Sequence, residues 1–174
     1  MRAEVCGGSV QLYAPKRDAC RMVVLTVEMR RMVDDGLGFV ATVNADGTPN
    51  LSPKGTIATW DDEQLAFADI ASPNSSKNLE RNPAVEVNVV DPLIRRGYRF
   101  AGTAVVHRRG AAFERGLDFY ERRGTVRARE RIRAIVVITV ASARPIRSPA
   151  YALGATEEQL RSRYRGLLLG DDPT

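Results

Sequence analysis

Alternating apolar and polar residues dominate the middle of the chain. From Ala84 to Val90 the valines occupy every second position after the alanine, with polar residues between them, which is the period of a half-buried β-strand. Segments of similar character predict six strands, over Gly38 to Asn44, Asn50 to Thr59, Gln64 to Asp69, Ala84 to Val90, Tyr98 to His107 and Ile135 to Ala143. Gly102 predicts a bulge in the fifth strand. The hairpin order favours an antiparallel sheet.

Segments with the apolar spacing of helices lie before, between and after these strands. Thr26 can cap a helix that closes near Gly36. Further helices are predicted at Ser75 to Asn82, Ala111 to Arg123, Val126 to Arg133 and Thr156 to Leu169. Pro145 and Pro149 should stop regular structure and leave Ser148 to Tyr151 as an extended tail. The expected fold class is mainly β within α+β, a six-stranded antiparallel Greek-key split barrel with peripheral helices.

The stretch from Gly47 to Pro83 carries the candidate chemistry. Pro53 cannot donate a ladder hydrogen bond, so its strand must lie at a sheet edge or break locally. Ser75, Ser76 and Lys77 come at a predicted helix start, where unpaired N–H groups and the helix dipole favour a phosphate. The competing interpretation is an ordinary N-cap beside a solvated lysine, and the residues alone favour it.

Five segments together resemble a known family. They are the helix from Glu28 to Val33, the hairpin GFVATVNADGTPNLSPKG, the segment SSKNLERNP, the strand YRFAGTA and the late strand IVVITVASARPI. In this order they resemble the FMN-binding split barrels related to pyridoxamine 5'-phosphate oxidase, over roughly residues 26 to 147. The resemblance implies a split β-barrel that binds FMN.

The resemblance also implies roles for particular residues. Ser75, Ser76 and Lys77 would grip the FMN phosphate, with Asn78 in support and either Arg81 or Arg99 beside them. Ser52, Pro53, Lys54 and Gly55 would lie along the isoalloxazine, where Lys54 would stabilise reduced, anionic flavin. Ala68 and Asp69 would contact the ring or the ribityl chain through their backbone. No catalytic side chain is implied, because the flavin itself carries the chemistry.

The function implied is a homodimeric oxidoreductase with FMN at the subunit interface. Electrons would pass through FMN from a small-molecule donor to a small-molecule acceptor, and the segment from Tyr98 to Gly102 is a candidate for the second subunit's contribution. The arginine and histidine pattern with which pyridoxamine 5'-phosphate oxidase itself binds substrate is not evident near the C-terminus. The alternatives are a relative that uses F420 or heme, and a non-catalytic FMN-binding protein or electron carrier.

The charge and composition of the chain limit the classes of partner that we expect. The chain has 174 residues and a formal charge of +5, which raises nucleic acid as a partner. Stacking platforms for nucleic acid need aromatic residues among basic ones, however, and aromatic residues are only 6% of the chain. We therefore expect no nucleic-acid partner. Lysine is rare beside 23 arginines, yet two of the 3 lysines, Lys54 and Lys77, lie in the candidate stretch.

Three regions are expected along the chain. Residues 1–21 show no regular spacing of apolar residues. They are either a flexible extension or the product of an early start codon before Met22. Residues 22–147 form the FMN-binding domain, and residues 148–174 form a tail and a helix.

Cys6 and Cys20 cannot frame a disulfide-stapled fold, and we expect a cytoplasmic protein. No apolar run reaches the ~20 residues of a membrane span, and a single histidine, His107, excludes a multi-histidine metal site.

Overall fold

A computed structural model describes residues 23–126 and 128–170. Its strands are β1 (Leu37–Val43), β2 (Pro49–Pro53), β3 (Ala58–Thr59), β4 (Gln64–Asp69), β5 (Ala84–Asp91), β6 (Arg96–His107) and β7 (Ala134–Arg147). Its helices are α1 (Val27–Asp35), α2 (Pro73–Arg81), α3 (Ala111–Arg123) and α4 (Glu157–Leu169), with short 3-10 turns at Arg129–Arg131 and Pro149–Leu153. Residues 1–21, including both cysteines, belong to the N-terminal part outside the described residues.

The described strands form one curled antiparallel sheet in the order β2-β1-β5-β6-β7-β4-β3. All of the adjacent pairs are antiparallel, so the predicted α+β split-barrel class is confirmed, with seven strands in place of six. The predicted bulge is also confirmed, because the register of β6 against β7 shifts between Ala101 and Gly102. A Cβ at Gly102 would stand 2.1 Å from the Thr139 carbonyl oxygen, so the close approach requires glycine.

The segment predicted as one strand from Asn50 to Thr59 is two strands at opposite edges of the sheet. β2 ends at Pro53 and pairs with β1, whereas β3 pairs with β4. Directly after β2 the Lys54 N–H donates to the Gly38 carbonyl oxygen. The chain then turns away from this edge, with a hydrogen bond from the Ile57 N–H to the Lys54 carbonyl oxygen. The edge position predicted from Pro53 is confirmed. Residues 54–57 cross from one edge of the sheet to the other.

The C-terminal third departs from the sequence prediction in two places. β7 continues through Pro145, which pairs with Tyr98 in register. Beyond Thr139 the strand no longer pairs with β4, so a proline there removes no ladder hydrogen bond on that side. The segment after Ser148 forms a 3-10 turn in place of an extended tail, and the helix predicted at Val126 to Arg133 is reduced to Arg129–Arg131.

The sheet packs apolar residues on both faces. The inner face carries the larger core, which includes Phe67, Val87 and Phe100. On the outer face α3 packs Leu117 and Tyr120 against the ends of β4 and β7. The inner and outer faces of the sheet therefore carry separate sets of packed residues. In the described part of the chain no helix is long and apolar enough to cross a membrane.

Candidate functional site

Lys54 lies where the chain leaves β2, and its side chain turns inward. The residue is only 4% exposed. Its Nζ donates to Ser52 Oγ at 2.7 Å and to Ser75 Oγ at 3.3 Å, and it lies 5.3 Å from the centroid of the Phe67 ring. The two segments that the sequence singled out, 52–55 and 75–77, therefore meet at this ammonium group.

The positive charge of Lys54 has no counter-ion in contact. Within the described residues its hydrogen-bond acceptors are hydroxyl groups, and it forms no ion pair. Burial lowers the pKa of Lys54, and the negative charge of nearby Asp69 offsets this only in part. A buried cation is costly unless it is paired. The donor set of one ammonium and two hydroxyl groups fits an anion such as a phosphate.

The N-terminus of α2 already holds a carboxylate. Asp69 is fully buried, and its side chain accepts from the Ser72 N–H at 2.9 Å and from the Ser76 hydroxyl. α2 begins at Pro73, two residues before the predicted start, so Lys77 falls in the second turn. A phosphate on the helix axis would therefore meet the Asp69 carboxylate. The side of the helix that carries Ser75, next to the Lys54 ammonium group, is electrostatically better suited to one.

Asn78 fastens α2 to the neighbouring hairpin. Its side-chain amide donates to Thr42 Oγ1 at 3.1 Å and to Asn44 Oδ1 at 2.9 Å, and its carbonyl oxygen accepts from Arg81 at 3.0 Å. The side chain is buried. These bonds fix the position of α2 along β1. In this structure Asn78 positions the helix that carries the serines and Lys77.

The two arginines considered for the phosphate lie in different places. Arg81 is on the last turn of α2 and contacts Asn78, on the helix of the candidate site. Arg99 lies on β6 and pairs with Glu86 at 3.1 Å. Arg81 is therefore the one connected with the candidate site through its contacts.

Three predicted residues at the site face solvent. Lys77 is exposed and forms no hydrogen bond or ion pair with the described residues. Gly55 is also exposed, and a Cβ built there would meet nothing within 4 Å. Pro53 beside it is exposed as well. The turn after β2 therefore offers open space for a planar group, while Lys77 is free to reach an anion.

The backbone of Ala68 and Asp69 is occupied by protein partners. Ala68 donates its N–H to Thr56 Oγ1 and accepts from the same hydroxyl, both at 3.0 Å. The Asp69 carbonyl oxygen accepts from the Arg133 N–H at 2.8 Å. The predicted ligand contacts of these two backbones would have to share groups that are already bonded. At this site Asp69 acts through its carboxylate, a role that the sequence did not indicate.

Sequence reasoning missed two polar residues here. Asn50 donates to Thr42 Oγ1 at 2.9 Å and to Ser75 Oγ at 3.4 Å. It shares a strand face with Ser52, so the two-residue period could have identified it. Thr56 bridges to Ala68, and its carbonyl oxygen accepts from the Tyr120 hydroxyl at 3.0 Å. No local signal marks Thr56, because its partners are distant in sequence.

The described residues contain no group of three or more His, Cys, Asp or Glu side chains that could hold a metal ion. The polar groups at the Lys54 site are an amine, hydroxyls and amides around one capped helix. Such groups bind anions and position a ligand.

The sequence matches the family described as pyridoxamine 5'-phosphate oxidase over residues 25–147. The chain therefore belongs to this family. The match contains the whole of the Lys54 site and all seven strands.

Individual proteins are similar to this chain in sequence or in fold. HupZ of Group A Streptococcus is 31% identical, with a TM-score of 0.62 over 71% of this chain and 94% of HupZ. An FMN-binding protein of Syntrophomonas wolfei is 12% identical, with a TM-score of 0.57 over 69% of this chain and 84% of that one, a similarity of fold alone. Protein MJ0282 of Methanocaldococcus jannaschii is 30% identical over 91 residues, 51% of this chain. The match spans 60% of the length of that curated relative.

Proposed function

We propose that the protein binds FMN at the Lys54 site and transfers electrons through it from a small-molecule donor to a small-molecule acceptor. The observation that carries the proposal is the buried, unpaired ammonium group of Lys54 beside the Ser75 hydroxyl. A phosphate would supply the counter-ion that this group lacks. Membership of the pyridoxamine 5'-phosphate oxidase family supports a phosphorylated flavin as the source of that phosphate.

The phosphate is placed beside α2, since Asp69 holds the axial position. Ser75 Oγ and Lys54 Nζ bind it from below, and the exposed Lys77 closes over it from the solvent side. Charge-assisted hydrogen bonds of this kind are shorter and stronger than neutral ones. Ser76 serves the site indirectly, because its hydroxyl is donated to Asp69.

The isoalloxazine is placed along the turn after β2. Gly55 forms no hydrogen bond with the described residues, so its backbone groups are free to bind the polar edge of the ring. Pro53 and Ser52 would lie against the ring face. Bound FMN supplies reversible hydride and electron transfer, and the protein supplies anchorage and orientation.

A second subunit would complete the site, because the turn after β2 is open to solvent in a single chain. Leu51 on β2 is 65% exposed and Leu37 on β1 is 47% exposed, which suits these two strands to burial against another copy. We propose a homodimer with FMN at the interface and the segment from Tyr98 to Gly102 as the partner's contribution.

Titration of the apoprotein with FMN and with riboflavin tests the assignment. Riboflavin has the same ring and no phosphate, so a site built around Lys54 should bind FMN at least about tenfold more tightly, the low end of a charge-assisted hydrogen bond. Equal affinities would remove the phosphate from the proposal. If neither flavin binds, FMN is not the cofactor.

Stopped-flow mixing of the FMN complex with NADH and NADPH then tests electron transfer. A reductase should be reduced by one of the two nucleotides within seconds. Slow reduction by both, with fast reduction by a chemical donor such as dithionite, would identify an electron carrier in place of an enzyme.

A further inference from the structure

A second groove lies on the other face of the sheet from Lys54. It is lined by β4, β6, β7 and the first turns of α3, and its residues are Trp60, Gln64, Val105, His107, Ala112, Arg115, Val137 and Thr139. Alternation along the strands puts Val105 and Val137, which pair in register, on the outer face, opposite Phe67 and Val136 of the inner core. The proposed flavin site does not use this groove.

The walls of the groove are suited to a flat apolar ring. Val105 is 58% exposed although it is a large apolar residue, and Val137 and Ala112 line the same space. Trp60 also lines the groove, and its ring packs on Phe119 of α3 at a centroid distance of 5.0 Å. An aromatic side chain held in this way offers a preformed surface for another aromatic ring.

The polar groups of the groove favour a negative charge on that ring. Arg115 is permanently charged, forms no ion pair with the described residues, and no acidic side chain lines the groove. Neighbouring charges on α3 are paired elsewhere, because Glu114 and Asp118 both bind Arg129. His107 and Gln64 add further hydrogen-bonding groups. A guanidinium matches a carboxylate with two parallel hydrogen bonds.

The volume limits the ligand to one ring. The groove holds about 210 Å³, less than the roughly 300–1,000 Å³ of pockets that take drug-sized molecules. We propose that this groove binds a single-ring aromatic carboxylate, with the ring against Trp60 and Val105 and the carboxylate on Arg115. The intervening sheet separates this ligand from the Lys54 site in the same chain.

The only tryptophan of the chain gives a specific probe, since Trp60 contributes the one indole N–H signal in a nitrogen–proton correlation spectrum. Sodium benzoate should shift this signal in a saturable way. The Arg115→Gln variant should bind benzoate about tenfold more weakly, because a charge-assisted hydrogen bond is lost. The Arg122→Gln variant, which changes an exposed arginine of the same helix away from the groove, should bind benzoate like the wild type.

Two comparison ligands separate the contribution of the charge from that of the aromatic ring. Benzyl alcohol keeps the ring and lacks the charge, and cyclohexanecarboxylate keeps the charge and lacks the aromatic ring, so both should bind more weakly than benzoate. No saturable shift at tens of millimolar benzoate would overturn the proposal. Equal binding by Arg115→Gln and wild type, or equal binding of benzyl alcohol and benzoate, would overturn it as well. A Val105→Glu variant, which puts a negative charge in the exposed wall, should lose benzoate binding.

Discussion

The helices α2 and α4 both begin at a capped N-terminus, but the caps come from different sources. At α4 the Thr156 hydroxyl accepts from the Gln159 N–H at 3.2 Å and the Gln159 side chain accepts from the Thr156 N–H at 2.9 Å, both exposed. At α2 the N-cap residue Ser72 makes no side-chain cap hydrogen bond. The buried carboxylate of Asp69, at the end of β4, instead accepts from the Ser72 N–H and the Ser76 hydroxyl, and we call this contact the α2 cap. The α4 cap is a local motif, whereas the α2 cap depends on a strand that precedes the helix. The α2 cap also acts on the candidate site, because the negative charge of Asp69 partly offsets the effect of burial on the pKa of Lys54.

The largest effect is expected from removing the α2 cap. Asp69→Ala leaves the half-buried Ser72 N–H and the buried Ser76 hydroxyl without this partner, and losing hydrogen bonds to a buried charged group should lower the free energy of unfolding by about 3 kcal/mol. Urea denaturation measures this change. Asp69→Asn keeps one acceptor oxygen and should lose less than Asp69→Ala. If both variants unfold like the wild type, Asp69 does not cap α2 in solution.

The next effect concerns FMN affinity. Lys54→Met keeps an unbranched side chain one atom shorter and removes the charge, so the dissociation constant for FMN should rise about 30-fold, equivalent to about 2 kcal/mol. Fluorescence titration of the apoprotein measures it. Riboflavin binding should change far less in the same variant, and a similar loss for both flavins would show that Lys54 acts on the ring or on folding.

The pH dependence of the free energy of unfolding gives a further test of Lys54→Met against the wild type. The pKa of Lys54 in the folded apoprotein is below its ordinary value of 10.5, so between these two values the unfolded chain binds more protons and wild-type stability rises with pH. Lys54→Met lacks this contribution. The apo variant should therefore be at least as stable as the wild type at neutral pH, and its advantage should shrink as the pH approaches 10.5. An advantage that grows with pH would contradict the burial of a charged Lys54.

A smaller loss of affinity is expected at Lys77. Because this side chain is exposed, solvent screens its charge, and Lys77→Ala should raise the FMN dissociation constant about tenfold. Raising the salt concentration should weaken wild-type binding and narrow the gap between wild type and Lys77→Ala. A titration curve like that of the wild type would remove Lys77 from the site.

The smallest effect is expected at the local cap of α4. Thr156→Ala removes the hydroxyl acceptor of an exposed capping box and should lower the free energy of unfolding by about 1 kcal/mol. Thr156→Ser keeps the acceptor and should be close to wild type. FMN affinity should not change in either variant. A loss of FMN affinity in Thr156→Ala would show that the start of α4 is not independent of the candidate site.

Much of the fold was predictable from local pattern. Strand β4 and helix α3 fall at the predicted residues, the Thr26 and Thr156 caps form as expected, and the bulge occurs at Gly102. These features depend on neighbours in sequence, whose spacing is visible in the chain. The division of the segment from Asn50 to Thr59 was not visible, because it depends on which strands compete for its two halves.

The sequence by itself determined the class of fold, the family and the two segments that meet at the candidate site. Alternation, caps and turn residues act over a few positions, so one chain displays them directly. Only the tertiary structure decided that Lys54 turns inward to Ser75, that Asp69 takes the axial position at α2, and that a groove forms beside Trp60. Those outcomes depend on burial and on which groups the folded sheet brings together, such as Lys54 and Ser75, which are 21 residues apart, and their energies arise only in the folded chain.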